Sequence, residues 1–508
     1  MAPAIAHALL FASLALGGEN GSGLTLIDAV TRAIASSPEV SLARETLAWK
    51  RAQVRIDKGE QDIRLSTDVS LERNDMPLTP YSQKIYKKGA EDIGILTTTL
   101  SAQKQFNNGV TLTPSLSLKR EDDSMLDSPP DNYGVVSFEL SIPLLDLWST
   151  GILGKKEKDS EIDLRATRMD LAATVSRNAA SAAMAFWSAL GSKETLRLDR
   201  EAEKDARRFL TEMTVLVEKD AYPAASLDQV RADLDAKAVR RISTEQAYYA
   251  ALQTLALEMG MAIETLGALA DVKGEFPAVE PVDLDIGALI RHAEEHRPDL
   301  AAERMRERYY AQLVADARGE MLPDLDLNLG AGYNGLDETS SSAGYFRSLS
   351  ENVPGPSYNI GLSVSRPLGN NVAAGKWQQA RINLNKEKIL IQTLRRHIAS
   401  EVLTAYQGCL GNRLAVEHQA DAVEKYGSAL EKKTIMFRRR MATLSDQLDA
   451  RDDYHESLKA LVVRRKAYAD ALVQLRLASG SLVRQTGSAF EIDTRGLMSP
   501  DTEKCFSQ

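Results

Sequence analysis

The amino-acid sequence predicts a mainly α-helical fold with a smaller β part. It consists of two long helical hairpins, each preceded by shorter helices and short strands. Three observations lead to this prediction. Apolar residues recur every seven positions over very long segments, much of the first half of the chain is repeated in the second, and short runs between the helices alternate apolar and polar residues. The first pattern is typical of paired helices and the third of strands.

The longest heptad pattern lies in residues 372–483. Val402 and Val416 belong to a series of apolar residues that are seven positions apart. Such spacing keeps one apolar stripe facing a partner helix. No proline interrupts the first arm of this stretch, so one helix over that arm would be roughly 100 Å long. The polar break at 438–451 then predicts that a second long helix returns along the first.

The beginning of this arrangement occurs twice. Residues 24–60 are repeated without a gap at 284–320, and Pro38 matches Pro298. The offset is 298 minus 38, or 260 positions. Each copy predicts a short helix, a break marked by proline and a longer helix.

The hairpins are repeated too, at a shorter offset. Asp-Gln-Val at 228–230 matches Asp-Gln-Leu at 446–448, which is 218 positions later. The first copy therefore holds roughly 40 extra residues, which fall within 75–133. The predicted organisation is a first repeat at 19–270 with a hairpin at 155–262, a linker at 271–283, a second repeat at 284–483 with a hairpin at 372–483, and a C-terminal tail at 484–508.

Five runs show the alternation expected of strands. The run at 94–119 is divided by an Asn-Gly turn at 108–109, so it predicts a β-hairpin. It lies in the extra residues of the first copy, and the sequence leaves open whether it joins the other strands. Alternation fits both a lipid-facing wall and a half-buried soluble sheet. The predicted strands lie at about 63–73, 94–119, 134–143, 324–333 and 358–367.

Composition narrows the possible partners and compartments. The net charge of −9 and the pI of about 5.5 argue against a nucleic-acid partner. An apolar run followed by small residues predicts a signal peptide at 1–18, with a short buried helix as the alternative. The sequence has no stretch of about 20 apolar residues, so any membrane crossing would require strands closed into a β-barrel.

The order of these elements resembles the TolC family of outer-membrane export channels. The resemblance covers about residues 24–482, and it is carried by the Pro-Leu strand exits at Pro143 and Pro367, the Asp-Gln-Leu-Asp-Ala tip at 446–450 and the Leu-x-Leu-x-x-Gly helix ends. It implies a homotrimer of a Gram-negative bacterium. Each chain would supply strands to one shared β-barrel in outer-membrane lipid and helical hairpins to one periplasmic tunnel.

The resemblance also implies partners and a function. The tunnel would dock on a periplasmic adaptor (membrane fusion) protein and an inner-membrane pump of the RND or ABC type. The protein would be a passive duct of a tripartite efflux or type I secretion system, with no enzyme activity and no cofactor.

The resemblance further implies a gate at the hairpin tips. Family members ring the narrow entrance with aspartates of the second tip, and Asp446 and Asp449 match them. Helix capping is the alternative role for these carboxylates. The family's gate arginine falls at Ala442, so another arginine would have to pair with an aspartate of the first tip. The candidate gate residues are Asp220, Asp228, Phe437, Arg438, Arg439, Arg440, Asp446, Asp449 and Arg451.

Two other functions fit parts of the sequence. One is a soluble periplasmic coiled-coil scaffold with small β-modules. The other is a zinc hydrolase built on His292 and His296, which fit an H-x-x-E-H pattern. The first repeat has Arg32 and Ser36 at the matching positions, which favours a surface pair. Residues 330–335 fit a dinucleotide-binding pattern without the helix that must follow it. We therefore expect neither a metal site nor a nucleotide site.

Overall fold

The computed structural model describes residues 23–125, 129–145, 153–261, 271–281, 284–486, 489–492 and 497–498. The predicted signal peptide at 1–18 lies outside these residues. The chain divides into two compact units. We call them the tip unit, which comprises the described parts of 1–43, 172–298 and 396–508, and the strand unit, which comprises those of 44–171 and 299–395.

The helices and strands follow the order expected from the repeat. In chain order they are α1 (Leu26–Ser36), α2 (Pro38–Gly59), β1 (Arg64–Pro77), α3 (Pro80–Tyr86), β2 (Ala90–Gln105), β3 (Thr111–Asp123), β4 (Asp131–Pro143), α4 (Leu153–Glu218), α5 (Ala225–Glu258), α6 (Ile286–His296), α7 (Pro298–Gly319), β5 (Asp324–Asp337), α8 (Gly344–Arg347), β6 (Pro356–Ser365), α9 (Asn371–Arg438), α10 (Leu444–Ser479), β7 (Val483–Thr486) and β8 (Ala489–Ile492).

Both repeats open with the same pair of helices. Thr25 begins α1 through a capping box with Asp28, and Asp285 begins α6 by accepting a hydrogen bond from the N–H of Gly287. The second helix of each pair starts with proline, whose missing N–H is not needed in the first turn. The proline that breaks one helix therefore also starts the next.

Each repeat closes with a long helical hairpin. In the first, α4 has 66 residues and α5 has 34; in the second, α9 has 68 and α10 has 36. Val402 and Cys409 of the predicted apolar stripe are fully buried, and Val416 nearly so. Helical hairpins lie at 153–258 and 371–479, where the spacing predicts them at 155–262 and 372–483.

Six strands of the strand unit form one antiparallel sheet in the order β1-β2-β3-β4-β5-β6. The hairpin that the sequence could not place is thus part of this sheet, between β1 and β4. Most strands extend beyond their predicted ranges; β1, for example, is predicted at 63–73 and spans 64–77 in the structure. The β2–β3 register has a gap between its Ser101–Ser115 and Lys104–Leu112 pairs. Pro114 lies in this gap, and it has no N–H to donate.

The sheet has one apolar face and one hydroxyl-rich face. On the apolar face, Leu71, Tyr358 and Ile360 are 80%, 74% and 79% exposed. On the other face, Ser and Thr side chains meet across strands, as in the 2.8 Å contact between the Ser66 and Ser101 hydroxyls. Within the described residues the outer edges of β1 and β6 pair with no further strand. A large exposed apolar face of this kind requires a cover other than water.

The predicted linker and tail are more ordered than their composition indicates. In the linker 271–283, Val272 is fully buried and bridges to Leu24. The tail predicted at 484–508 begins within a two-stranded hairpin, β7–β8. The sequence missed this hairpin because each strand has only four residues. None of the helices in the described part of the chain combines the length and apolar composition that a membrane crossing requires.

Candidate gate at the helical hairpin tips

At the tips of the two hairpins, both of which lie in the tip unit, α4 and α9 end with the same backbone turn. Asp220 has φ +52° and Arg440 has φ +60°, so both adopt the left-handed conformation that commonly ends a helix. The N–H of the next residue reaches back to a carbonyl five positions earlier, at 2.8 Å in both tips. Asp220 and Arg440 are 220 positions apart and both are exposed.

The return helix of the second hairpin starts with a capping box. The Thr443 hydroxyl accepts from the N–H of Asp446 at 3.1 Å, and the N–H of Thr443 donates to the Asp446 carboxylate at 3.0 Å. The Lys433 ammonium donates to the same carboxylate at 2.8 Å. The hydrogen bond from Lys433, followed by those from Thr443, holds the pKa of Asp446 well below its usual range. Asp446 therefore carries a paired charge with a capping role.

The neighbouring carboxylate is less restrained. Asp449 is exposed, and its carboxylate accepts one long hydrogen bond, 3.4 Å, from the Ser445 hydroxyl. It lies one helical turn beyond Asp446 and shares that residue's side of α10. Of the two aspartates that match the family pattern, Asp449 is the one whose charge faces solvent without an ion-pair partner among the described residues.

The first tip lacks the capping device. Ala224 stands at the N-cap of α5 in a helical conformation and offers no side-chain acceptor. Asp228, which matches Asp446 through the repeat, is 82% exposed and lies 3.5 Å from Arg231. The ion pair is solvent-exposed and within one helix, so it contributes little to stability.

The hairpins meet at their tips through aromatic rings. Phe437 is only 5% exposed, and its ring stacks on Tyr222 of the first tip with centroids 5.3 Å apart. Phe209 of α4 adds a second ring at 5.9 Å. The sequence does not indicate that Tyr222 and Phe209 contact Phe437, because both belong to the other hairpin. This apolar cluster also contains Met213, Val230, Leu444 and Leu448.

Ala442 stands where the resemblance implies the gate arginine, and it makes an apolar contact there. Its small side chain packs against the apolar cluster around Phe437. A guanidinium placed there would have to leave that contact or be desolvated, which is costly without a partner. Within one chain, position 442 therefore makes an apolar contact, whereas the resemblance implies an ionic one.

The four candidate arginines fall into two groups. Arg438, Arg439 and Arg440 are exposed, and in the described part of the chain they form no ion pair within 4.0 Å. Arg451 instead lies over the Phe209 ring with its guanidinium carbon 4.1 Å from the centroid, and burial lowers its pKa. Within one chain the structure does not bring any of these arginines to Asp220 or Asp228, so the latch stays a prediction.

Other contacts support the aromatic one. Lys237 of α5 forms an ion pair with Asp452 of α10, and the lysine is almost fully buried. Beside the rings, a cavity of about 880 Å³ is lined by Phe209, Phe437 and Arg451, among other residues. The tips are thus joined by an aromatic and an ionic contact, with a cavity beside the rings.

The alternative sites have a different geometry. The His292 and His296 rings stack 4.0 Å apart, and the Nδ1 of each faces a backbone carbonyl at 3.0 Å. Among the residues that the structure describes, no three His, Cys, Asp or Glu side chains are grouped to hold a metal. Residues 330–335 lie within β5, which pairs with β4 and β6, and no helix opens there.

Comparison with known proteins identifies the fold. Residues 289–481 match the family described as outer membrane efflux protein. The CmeC outer-membrane channel of Campylobacter jejuni superposes with a TM-score of 0.65 at 17% identity, covering 92% of this chain and 90% of that one. The chain has the fold of the TolC-like outer-membrane channels. This confirms the predicted fold class of duplicated helical hairpins with barrel strands, and the match over residues 289–481 supports the predicted resemblance.

Two further TolC-like channels have the same fold. VceC of Vibrio cholerae has a TM-score of 0.63 at 16% identity, covering 90% of this chain and 96% of that one. The open state of MtrE of Neisseria gonorrhoeae has a TM-score of 0.63 at 13% identity, covering 90% of this chain and 88% of that one. A search of curated protein sequences gave no match. The predicted location, in the outer membrane and extending into the periplasm, agrees with these matches.

Proposed function

We propose that three copies of the chain form a passive export duct in the outer membrane. An inner-membrane pump of the RND or ABC type would supply the energy, and a periplasmic adaptor would join the pump to the hairpin tips. The proposed role requires no catalysis by this chain. It would serve either tripartite efflux or type I secretion.

The observation that carries this proposal is the amphipathic sheet with two open edges. In lipid, unpaired backbone groups at an edge are costly, so a membrane sheet closes into a barrel. Within the residues that the structure describes, one chain supplies six strands to this sheet, and its two edges are not joined to each other. Pairing β6 of one copy with β1 of the next removes every edge and turns the exposed apolar face towards lipid.

Fractionation tests the duct against the soluble scaffold. We expect a protein that stays in the outer-membrane fraction, needs detergent for extraction and behaves as a trimer in it. A freely soluble monomer would favour the scaffold and overturn the duct.

The gate is the second part of the proposal. In a trimer, Asp449 of each copy would meet the others at the constriction, where a ring of carboxylates favours cations. Asp446 is already paired with Lys433. We therefore assign the ion selectivity of the entrance mainly to Asp449 and a structural role to Asp446.

Planar-bilayer recordings test this assignment. Asp449→Asn should lower the preference for K⁺ over Cl⁻ several-fold and weaken block by divalent cations. Asp421→Asn is the matched control, because its carboxylate is exposed on α9 well before the tip. The ring is wrong if Asp449→Asn and the control leave selectivity equally unchanged. Conductance of Asp228→Ala and Arg440→Ala tests the latch, which predicts more frequent opening in both.

A further inference from the structure

The two repeats contribute unequal numbers of strands to the sheet. β1 at 64–77 and β5 at 324–337 match residue for residue at the 260-position offset. β4 and β6 likewise lie at corresponding positions, each just before a long hairpin. The β2–β3 hairpin has no counterpart, because a loop with the four-residue α8 joins β5 directly to β6.

The extra hairpin is fully integrated on the hydroxyl-rich face. Ser66, Ser101, Ser115 and Ser137 lie opposite one another across β1, β2, β3 and β4. Their hydroxyls are 2.8 Å apart between β1 and β2 and 2.6 Å apart between β3 and β4. One row of hydroxyl groups therefore crosses the inserted strands without interruption.

The opposite face of the hairpin continues the apolar face of β4, whereas on β1 Thr67 lies opposite Leu100. Leu100 of β2 lies opposite Leu116 of β3, which lies opposite Val136 of β4. Leu100 is 40% exposed. A hairpin with one apolar face and one hydroxyl face, each in register with its neighbours, has the pattern of a membrane barrel wall.

We propose that the β2–β3 hairpin is an insertion that widens the barrel section of the pore and lets bulkier solutes pass through that section once they are beyond the tips. The proposal rests on the trimeric duct proposed above. Three copies with six strands each give eighteen strands, whereas without the hairpin three copies with four give twelve. Barrel diameter grows about linearly with strand number, so the insertion makes the barrel about half again as wide and roughly doubles its cross-section. The solutes are those too wide for the twelve-stranded form.

The second repeat provides the design of the test. Residues 78–130, which join β1 to β4, are replaced by residues 338–355, which join β5 to β6. This chimera has two strands in each repeat. Polyethylene glycols of graded size are added on the extracellular side of the parent and chimera channels in a planar bilayer. The largest polymer radius that enters the barrel should fall by about one third in the chimera, and an equal cut-off in both overturns the proposal.

Cysteine labelling tests the wall position without removing any strand. In a Cys409→Ala, Cys505→Ser background, Thr99→Cys and Leu100→Cys are treated with a membrane-impermeant maleimide in proteoliposomes. Thr99→Cys should react and Leu100→Cys should not, because they lie on opposite faces of β2. Equal reaction at both positions would place the hairpin outside the wall.

A matched pair of cysteine variants on β5 distinguishes failure of the widening from failure of the trimeric barrel on which it rests. Asn328→Cys should react and Leu329→Cys should not. If the β5 pair alternates and the β2 pair does not, only the widening is wrong. If neither pair alternates, the trimeric barrel itself is wrong.

Discussion

At the first tip the chain passes from α4 into α5 through Asp220, and at the second it passes from α9 into α10 through Arg440. Both turns use one left-handed residue and the same backbone hydrogen bond. Beyond that residue they diverge. Thr443 and Asp446 cap α10, whereas Ala224 leaves α5 without a side-chain cap.

The side chains of the two tips differ in burial as well. Gln447 is fully buried and donates to the Thr434 hydroxyl at 3.0 Å, while its counterpart Gln229 is exposed. Phe437 is buried where the first hairpin has the half-buried Val217. Duplication thus kept the backbone turn, which depends on local helix-end geometry. It did not keep the side chains, which depend on what each tip touches.

The largest effect is expected from Phe437→Ala. Loss of a buried ring typically costs about 3–5 kcal/mol, and here it also removes the stacking contact with Tyr222. We expect a lower midpoint of chemical unfolding and a higher open probability in a planar bilayer. Val217→Ala, at the matching position of the first tip, should cost less than half as much. Equal losses in the two variants would show that the tips are reinforced alike.

The second largest effect is expected from a contact between two helices of the strand unit, which differs between the two repeats. In the first repeat, α2 and α4 are joined by the opposite charges of Lys50 and Asp163. In the second, α7 and α9 bring the carboxyls of Glu303 and Glu387 together. Burial, followed by the hydrogen bond with Glu303, raises the pKa of Glu387 to about 7. Arg306 opposes this shift and Glu307 adds to it.

The raised pKa of Glu387 sets the direction of the pH dependence. The folded state holds a proton that the unfolded state releases near pH 4.5, so the free energy of unfolding falls as pH rises from about 4.5 to 7. We expect a decrease of about 3 kcal/mol across this window. Glu387→Gln should flatten the thermal midpoint over the same range. The half-buried Glu307→Gln is the control, and if it flattens the curve equally Glu387 is not the titrating group.

The smallest effect concerns the cap. Thr443→Ala gives the second tip the N-cap residue of the first and should cost about 1 kcal/mol. Hydrogen exchange of the first turn of α10 should then be about five-fold faster. Ala224→Ser is the reverse change. It should gain little, because Ala224 is in a helical conformation from which a hydroxyl cannot cap. A clear slowing of exchange in α5 would contradict that explanation.

Features that depend on residues close together in the sequence could be predicted, and contacts between residues far apart in it could not. Heptads and alternation are local, so they indicate hairpins and strands, and the repeat relates Asp228 to Asp446. The capping box was also readable, since Thr443 lies three residues before Asp446. The contact of Tyr222 with Phe437 was not, because it joins residues 215 positions apart that share no pattern.

The open edges of β1 and β6 have a consequence for the life of a single chain before assembly. In the proposed trimer, a chain that has not yet met two others carries, within its described residues, two unpaired strand edges and a large apolar sheet face through an aqueous compartment. Such edges pair readily with any extended segment, including the same edge of another immature chain. Yield in the cell should therefore be limited by the time spent as a monomer. Periplasmic holding chaperones that cover strand edges should raise it more than any stabilising change in the helices.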